Sequence, residues 1–256
     1  MKYTYFRLVL AVLLFLGGWQ IVSAETNELM VRCVAFYNLE NVFDTIHDEG
    51  KNDYEYLPDG GMKWTSLKYT NKIQNMAYAI AQLGTDEDPR GAAIVGVSEV
   101  ENIGCLHDLC KELKEKHNRN YVPILLEGPD RRGIDVGLLY NPDMFKPVGK
   151  PKGYELKAHY ADGGVVRSRL QLWVSGYMLD DSRKIVMDKI HISVNHWPSR
   201  SGGEESSRAT RDTAAMLVKQ VADSIYMKEP RAKIIVMGDL NDDPFNNSCS
   251  VILGAK

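Results

Sequence analysis

Four separate apolar segments of the chain end in side chains that carry carboxylate, amide or imidazole groups. These side chains are Asn38 and Glu40, Glu99 and Glu101, Asn195 and His196, and Asp239 and Asn241. Carboxylate and amide oxygens are the ligands that hard divalent cations such as Mg²⁺ and Mn²⁺ prefer. Such a cation stabilises charge on phosphoryl oxygens, and a nearby histidine can transfer protons at neutral pH. The four segments together predict a metal-dependent site for phosphate-ester hydrolysis.

Each of these residues also has a structural interpretation that the sequence leaves open. A lone histidine at a strand end, such as His196, is more often structural than catalytic. Asp242 can be a solvated surface residue. Arg208 and Arg211 can bind an anion at a helix start, or can pair with glutamates on neighbouring helical turns. The conjunction of four polar segment ends favours the functional interpretation.

Hydrophobic periodicity predicts the elements that must position these side chains. Strands are predicted at residues 31–38, 92–100, 121–126, 134–140, 165–177, 184–195 and 233–238. Helices are predicted at residues 65–83, 102–116 and 206–227. In layered α/β folds, ligands bind where strand ends converge, and residues i and i+2 of a strand face one way. We therefore expect an α/β (α+β) domain with mixed sheets, in which Asn38 and Glu40 share a direction.

Composition limits the classes of function. With 256 residues, 44% of them hydrophobic, the chain can bury one sizeable core. Its formal net charge of −3 does not favour non-specific nucleic-acid binding, so nucleic-acid chemistry would need a local basic patch and a bound metal. The four cysteines show no metal-binding spacing, and packing is favoured over a disulfide.

Residues 1–24 have the pattern of a secretory signal peptide. Lys2 and Arg7 form a basic start, residues 8–19 are an apolar run too short to span a bilayer comfortably, and Ala24 ends a small-residue cleavage pattern. The alternative is an N-terminal membrane anchor. We expect a secreted or periplasmic protein whose residues 25–256 form one domain, with no transmembrane segment after cleavage.

Five motifs in this order resemble the endonuclease/exonuclease/phosphatase superfamily, which has the DNase I-like fold. They are FYNLENVFD at residues 36–44, VGVSEVEN at 95–102, RRGIDVGLLYNP at 131–142, VNHWPSRSGGEE at 194–205 and GDLNDDP at 238–244. The sequences of these motifs are most similar to those of secreted bacterial members of the family. The resemblance implies a four-layered sandwich of two mixed sheets flanked by helices. It also implies hydrolysis of a phosphate ester by in-line attack of water.

The resemblance implies roles for individual residues. Glu99 matches the main metal-binding glutamate, and Asn38 matches the asparagine that orients it or contacts the metal. Glu40 matches a position that is acidic in some members and helps to bind a second ion. The implied cation is Mg²⁺ or Mn²⁺, with Ca²⁺ as a further option.

The implied catalytic residues are His196, Asp239 and Asn241. Asp239 matches the aspartate that positions or activates the attacking water, and Asn241 matches the asparagine that holds the phosphate. His196 matches a residue that contacts the phosphate or assists the leaving group. Substrate contacts are expected from weaker matches, at Asn195, Ser199, Arg200, Arg132 and Asp135.

One feature departs from the family pattern. Family members end with an Asp-His pair on a late strand, and no Asp-His follows Asp239 in this sequence. We therefore expect the last strands of the fold to be missing from the sequence, with residues 248–256 as the start of a further part. An interrupted sheet leaves an exposed edge and apolar surface.

Three functions remain open at this point. The leading hypothesis is a secreted phosphodiesterase or endonuclease that acts on nucleic acid and has no stable protein partner. A second keeps the chemistry and changes the substrate, giving a phosphatase or a phosphodiesterase of phospholipids or sugar phosphates. A third, of another class, is an inactive binding domain, because the terminal Asp-His is absent.

Overall fold

Two mixed β-sheets form the framework of the computed structural model, which describes residues 30–160, 163–185, 189–200 and 203–255. The first sheet has the order β1-β2-β4-β3, with β1 at Val34–Val42, β2 at Ile94–Val100, β3 at Val122–Leu125 and β4 at Asp135–Tyr140. The second has the order β5-β7-β8-β9, and β6 also pairs with β7. Its strands are β5 at Phe145–Pro147, β6 at Lys152–Tyr154, β7 at Gln171–Met178, β8 at Ile190–His196 and β9 at Lys233–Asp239.

Two pairs of neighbouring strands are parallel, namely β1 with β2 and β8 with β9. The other pairs are antiparallel, including the predicted hairpin of β7 and β8. The short strands β5 and β6 were not predicted, because three residues are too few to show a period of two. The predicted signal peptide lies outside the described residues.

Three longer helices begin at capping signals or close to the predicted positions. They are α1 at Ser66–Ala81, α2 at Ile103–His117 and α3 at Glu204–Tyr226. The Thr65 hydroxyl accepts a hydrogen bond from the Lys68 amide, and Asn102 Oδ1 accepts one from the Cys105 amide at 3.0 Å. These bonds satisfy amides that the first helical turn leaves free, which confirms both predicted starts. No helix among the described residues has the length and apolar character needed to cross a membrane.

Three apolar clusters separate four layers. The first joins α1 and α2 to one face of the first sheet, through residues such as Ile80, Leu109 and Val97. The second fills the space between the two sheets, and the third joins the second sheet to α3. The order helix, sheet, sheet, helix is the four-layered DNase I-like sandwich that the resemblance implied. All four cysteines are free, as expected from the packing interpretation.

A buried ion pair ties α3 to the segment that follows β9. Arg211 Nε donates to Asp242 Oδ1 at 2.6 Å, and both side chains are almost completely buried. The Ser248 hydroxyl donates to the other oxygen of Asp242. Arg211 therefore anchors this segment and does not face a bound anion, whereas Arg208 pairs with Glu205 at 2.7 Å on the exposed side of the helix.

Replacing Asp242 by alanine should lower the free energy of unfolding by about 3–5 kcal/mol, because Arg211 would be left buried without a counter-charge. Urea denaturation of wild type and variant measures the difference. The matched control is Glu205→Ala, which removes an exposed pair and should cost no more than about 1 kcal/mol. Equal losses in the two variants would contradict the anchoring role.

Candidate active site

Strand ends of both sheets converge on one group of side chains. Glu99 lies near the end of β2, and His196 and Asp239 are the last residues of β8 and β9. One ligand atom from each of these three lies within 4.8 Å of the other two. His196 and Asp239 are direct partners in the parallel pair, so the register of β8 and β9 sets their separation. The structure therefore brings together three residues that the sequence placed in the site.

The Asn38 amide connects the two carboxylates. Its Nδ2 donates to Glu99 Oε1 at 3.2 Å and to Asp239 Oδ2 at 3.1 Å. Its Oδ1 accepts a hydrogen bond from the Glu40 amide at 2.8 Å. Because the amide nitrogen has two hydrogens, it can serve both acceptors and offset part of their repulsion. Asn38 orients the carboxylates in this arrangement, and its oxygen is engaged by the backbone.

His196 completes the group as a neutral imidazole. Its side chain is 4% exposed, and its Nε2 lies 3.8 Å from Glu99 Oε1 and from Asp239 Oδ2. Burial, together with the positive charges of Arg169 and Arg132, lowers the pKa of His196 to about 2. Its Nδ1 has no hydrogen-bond partner among the described residues. Two carboxylates and a neutral imidazole form a donor set that fits a divalent cation.

Left-handed backbone conformations cluster around this group. Glu40, Asn41, Glu99 and Asn241 have φ of 56°, 61°, 61° and 53°. The pairing of β1 with β2 shifts register after Asn38, and that of β2 with β4 shifts after Ser98. Such conformations cost on the order of 1–3 kcal/mol each and persist where the surrounding structure enforces them. The irregularities redirect side chains that regular alternation would place elsewhere.

Glu40 and Glu101 show the effect of this redirection. The Glu40 side chain is 82% exposed, and its carboxylate lies 4.0 Å from Lys72 and outside the group around Asn38. Glu101 is buried beside Asp44, whose amide donates to Glu101 Oε2 at 2.7 Å. Burial and the neighbouring carboxylates raise the pKa of Glu101 to about 8. Neither residue joins Glu99, His196 and Asp239.

The turn after β9 is fixed to the loop after β8. Asn241 donates from its amide to Asp239 Oδ1 at 3.1 Å and from Nδ2 to the Trp197 carbonyl at 3.0 Å. Gly238, which precedes Asp239, allows the two strands to approach closely. A Cβ on Gly238 would lie 2.1 Å from the Asn195 carbonyl oxygen. Asn241 thus holds the Asp239 carboxylate in position beside His196.

Two arginines form a positively charged wall beside the group. Arg169 is buried, donates to Asp130 Oδ2 at 3.3 Å and to the Trp197 carbonyl at 3.4 Å, and has an unpartnered Nε among the described residues. Arg132 is more exposed and donates to Asn41 Oδ1 at 3.3 Å. Arg169 was not predicted as a site residue. Its only sequence signal is a charge placed two residues before the buried strand β7.

The other expected substrate contacts lie outside the group. Asn195 is completely buried on the opposite face of β8 from His196, where its Nδ2 donates to Ser193 Oγ at 2.9 Å. Adjacent strand residues face opposite ways, so Asn195 cannot face the site when His196 does. Arg200 is paired with Asp243 at 3.0 Å, and Ser199 is exposed in the loop after β8.

Asp135 is the fifth expected contact, and it is buried outside the group of Glu99, His196 and Asp239. Its side chain is buried, with a residue exposure of 1%, and its Oδ1 accepts a hydrogen bond from the Gly128 amide at 2.9 Å. Its Oδ2 has no partner among the described residues. Burial raises the pKa of Asp135 from 3.8 to about 7. The folded protein therefore binds the proton of the Asp135 carboxyl group more tightly than the unfolded chain does.

The free energy of unfolding should consequently fall as pH rises from 3.8 to about 7. The contribution of protonated Asp135 is fully present below pH 3.8 and is lost as pH rises through about 7. In wild type, Asp135 should make the free energy of unfolding fall with rising pH, by at most about 1.4 kcal/mol per pH unit. We expect Asp135→Asn to remove this dependence. Urea denaturation of both forms in EDTA at several pH values measures it. A difference between them that is constant with pH would contradict the assignment.

Comparison with known proteins agrees with the fold and the motifs. A family model described as the Endonuclease/Exonuclease/phosphatase family matches residues 33–256. No curated protein matches significantly. A solved mannosyl-6-phosphatase from Bacteroides thetaiotaomicron VPI-5482 aligns with a TM-score of 0.54 and 16% identity over 86% of this chain and 69% of that one.

Two further solved structures have the same fold. An endonuclease/exonuclease/phosphatase family protein from Bacteroides thetaiotaomicron has a TM-score of 0.51 and 16% identity, covering 86% of this chain and 67% of its own. A β-hairpin deletion mutant of beta toxin from Staphylococcus aureus has a TM-score of 0.51 and 14% identity, covering 86% and 71%. With the family model matching most of its length, the chain belongs to the endonuclease/exonuclease/phosphatase family.

Proposed function

We propose that the protein is a divalent-metal-dependent phosphodiesterase that cleaves nucleic acid by in-line attack of water. The observation that carries the proposal is the group of Glu99, His196 and Asp239, whose ligand atoms lie within 4.8 Å of one another. Asn38 holds the two carboxylates side by side at a point where both remain partly open to solvent. A purely structural ion pair would not need two like charges at this position.

The proposed cofactor is Mg²⁺, with Mn²⁺ and Ca²⁺ as alternatives. Glu99 would hold the cation, together with an oxygen of Asp239 or the imidazole of His196. When bound, the cation supplies electrostatic stabilisation of negative charge on the phosphoryl oxygens. Glu40 would take part only if its exposed side chain moved toward the group.

The remaining roles follow from the contacts of each side chain. Asp239 is partly exposed and is held by Asn38 and Asn241, so it is placed to orient water and accept its proton. The water oxygen bonds to phosphorus while the bond from phosphorus to the leaving-group oxygen breaks, and the leaving group departs as an alcohol once it is protonated. His196 is neutral and can hydrogen-bond to a phosphoryl or leaving-group oxygen. Arg132 and Arg169 provide positive charge beside this position.

A cationic cavity supports a substrate with more than one phosphate. A cavity of about 750 Å³ is lined by Lys51, Arg131 and Arg167, with two acidic residues, Asp130 and Glu155. Arg131 directly precedes Arg132 in the chain, and Asp130, which also lines the cavity, pairs with Arg169. Phosphates that flank a scissile diester would be attracted there. Ser199 is a candidate contact on the other side of the site.

A sugar phosphate is the second candidate substrate. The supporting observation is the shared fold with a mannosyl-6-phosphatase at 86% coverage of this chain. Both candidates use the same chemistry at phosphorus. They differ in whether the phosphate is a diester or a monoester, so a substrate comparison separates them.

The test is hydrolysis of plasmid DNA, mannose 6-phosphate and sphingomyelin, each with Mg²⁺ and with EDTA. We expect cleavage of DNA that EDTA abolishes. Preferred hydrolysis of mannose 6-phosphate or sphingomyelin would replace nucleic acid by that substrate. Absence of metal-dependent turnover on all three, with Mg²⁺ and Mn²⁺, would overturn the enzyme proposal in favour of a binding domain.

Single substitutions test the site assignment. Glu99→Ala and His196→Ala should each lower kcat by at least about 100-fold, because each removes a group that contacts the cation or the phosphate. Initial rates under saturating substrate measure the effect, with circular dichroism as a check on folding. Glu40→Ala is the matched control, since its exposed carboxylate lies outside the group. Near-normal rates in the first two variants would contradict the assignment.

A further inference from the structure

A second cavity lies between the second sheet and the C-terminal part of α3. Its volume is about 380 Å³, and its floor contains Trp173 and Ser175 from β7 and His191 from β8. Val221 and Ile225 of α3 form an apolar wall. A volume of this size accommodates a monosaccharide or a single aromatic ring with a charged group.

This cavity is separate from the candidate active site. His191 and His196 belong to the same strand but are five positions apart, which corresponds to roughly 16 Å along a strand. An odd separation also places their side chains on opposite faces of the sheet. The cavity therefore opens on the helix side of β8, whereas His196 faces the site between the sheets.

Lysine side chains surround this cavity. Lys150, Lys152 and Lys228 line it, and their ammonium groups form no ion pair or hydrogen bond with any residue of the described ranges. Lys152 is the cross-strand partner of Trp173, so the two side chains lie on one face. Lys189 is the fourth lysine. Positive charge concentrated at a concave surface attracts anions.

Trp173 contributes to the floor of the cavity. The residue is 5% exposed, so the part of its side chain that lines the cavity is small. A ligand in the cavity would nevertheless change the surroundings of this side chain, which makes Trp173 a reporter of binding.

Two features of the cavity oppose an anion. Glu229 lines it, and the carbonyl end of α3 is nearby. Glu229 is already engaged, since its two oxygens lie 2.5 Å from Lys189 Nζ and 3.3 Å from His191 Nε2. The three unpaired lysines therefore determine the charge that a ligand would meet.

We propose that this cavity binds a small organic anion that carries a phosphate- or sulfate-type group. The lysines contact the charged group, and the ring or alkyl part of the ligand packs on Val221 and Ile225. This site does not depend on the proposed hydrolase activity.

The test observes Trp173 directly, by NMR of the ¹⁵N-labelled protein in EDTA. Trp173→Phe assigns its indole resonance. Phenylphosphonate, which is not hydrolysed, is titrated in, with sodium sulfate as a second arm. We expect a saturable shift of the Trp173 resonance that persists in Glu99→Ala, because the cavity is separate from the candidate active site.

The double variant Lys150→Ala/Lys152→Ala should weaken phenylphosphonate binding at least tenfold. Its matched control is Lys114→Ala/Lys116→Ala on the exposed face of α2, which should leave the affinity unchanged. No saturable shift, equal weakening in both double variants, or loss of the shift in Glu99→Ala would overturn the proposal. Equal affinity for sulfate and phenylphosphonate would overturn the assignment to an organic anion.

Discussion

Two carboxylates from different sheets accept hydrogen bonds from one side-chain amide, that of Asn38. This contact requires strand ends from both sheets to lie at the same place. Glu99 and Asp239 repel each other, and their partial burial strengthens the repulsion. Asn38 Nδ2 donates to both, so it can hold them only if β1, β2 and β9 end at the same place. The parallel pairs β1 with β2 and β8 with β9 provide that arrangement, because parallel neighbours end at the same edge of a sheet. The apolar cluster between the sheets then keeps the two edges face to face.

The site also depends on residues in unfavourable backbone conformations. Packing in the neighbouring apolar clusters offsets the free-energy cost of these conformations. The four left-handed residues at the site lie at the ends of β1, β2 and β9, where regular pairing has already stopped or shifts. Tight packing lies immediately behind them, where a Cβ on Gly96 would lie 2.7 Å from the Met237 side chain and 3.2 Å from that of Val194. A well-packed interior deforms little, so it can enforce unfavourable dihedral angles at its border. The rigid sheets therefore fix the separation of the ligand atoms.

Sequence reasoning predicted the parts of the molecule that obey local rules. The helix starts at residues 65 and 102 and the buried strands follow from hydrophobic periodicity. The polar strand ends predicted the meeting of Asn38, Glu99, His196 and Asp239. The rule that residues i and i+2 of a strand face the same way predicted the wrong direction for Glu40, because a shift of register after Asn38 turns its side chain outward. The same rule excludes Asn195 from the site, because adjacent residues of a strand face opposite ways and His196 faces the site. Arg169 could not be found from spacing alone, since its position beside His196 depends on a contact between distant parts of the chain.

The positive charges of Arg132 and Arg169 beside His196 contrast with the negative net charge of the chain, and the contrast has a physical origin. The formal net charge of −3 says little about the potential at a half-buried point, because nearby groups dominate there and salt screens the rest. At His196, burial together with the nearby cations Arg169 and Arg132 keeps the imidazole neutral by lowering its pKa. A neutral imidazole would not repel a cation bound at Glu99 and Asp239, as we propose, whereas an imidazolium would. In the proposed mechanism the arginines would therefore have two effects, since they would attract a phosphate and they add to burial in keeping His196 neutral.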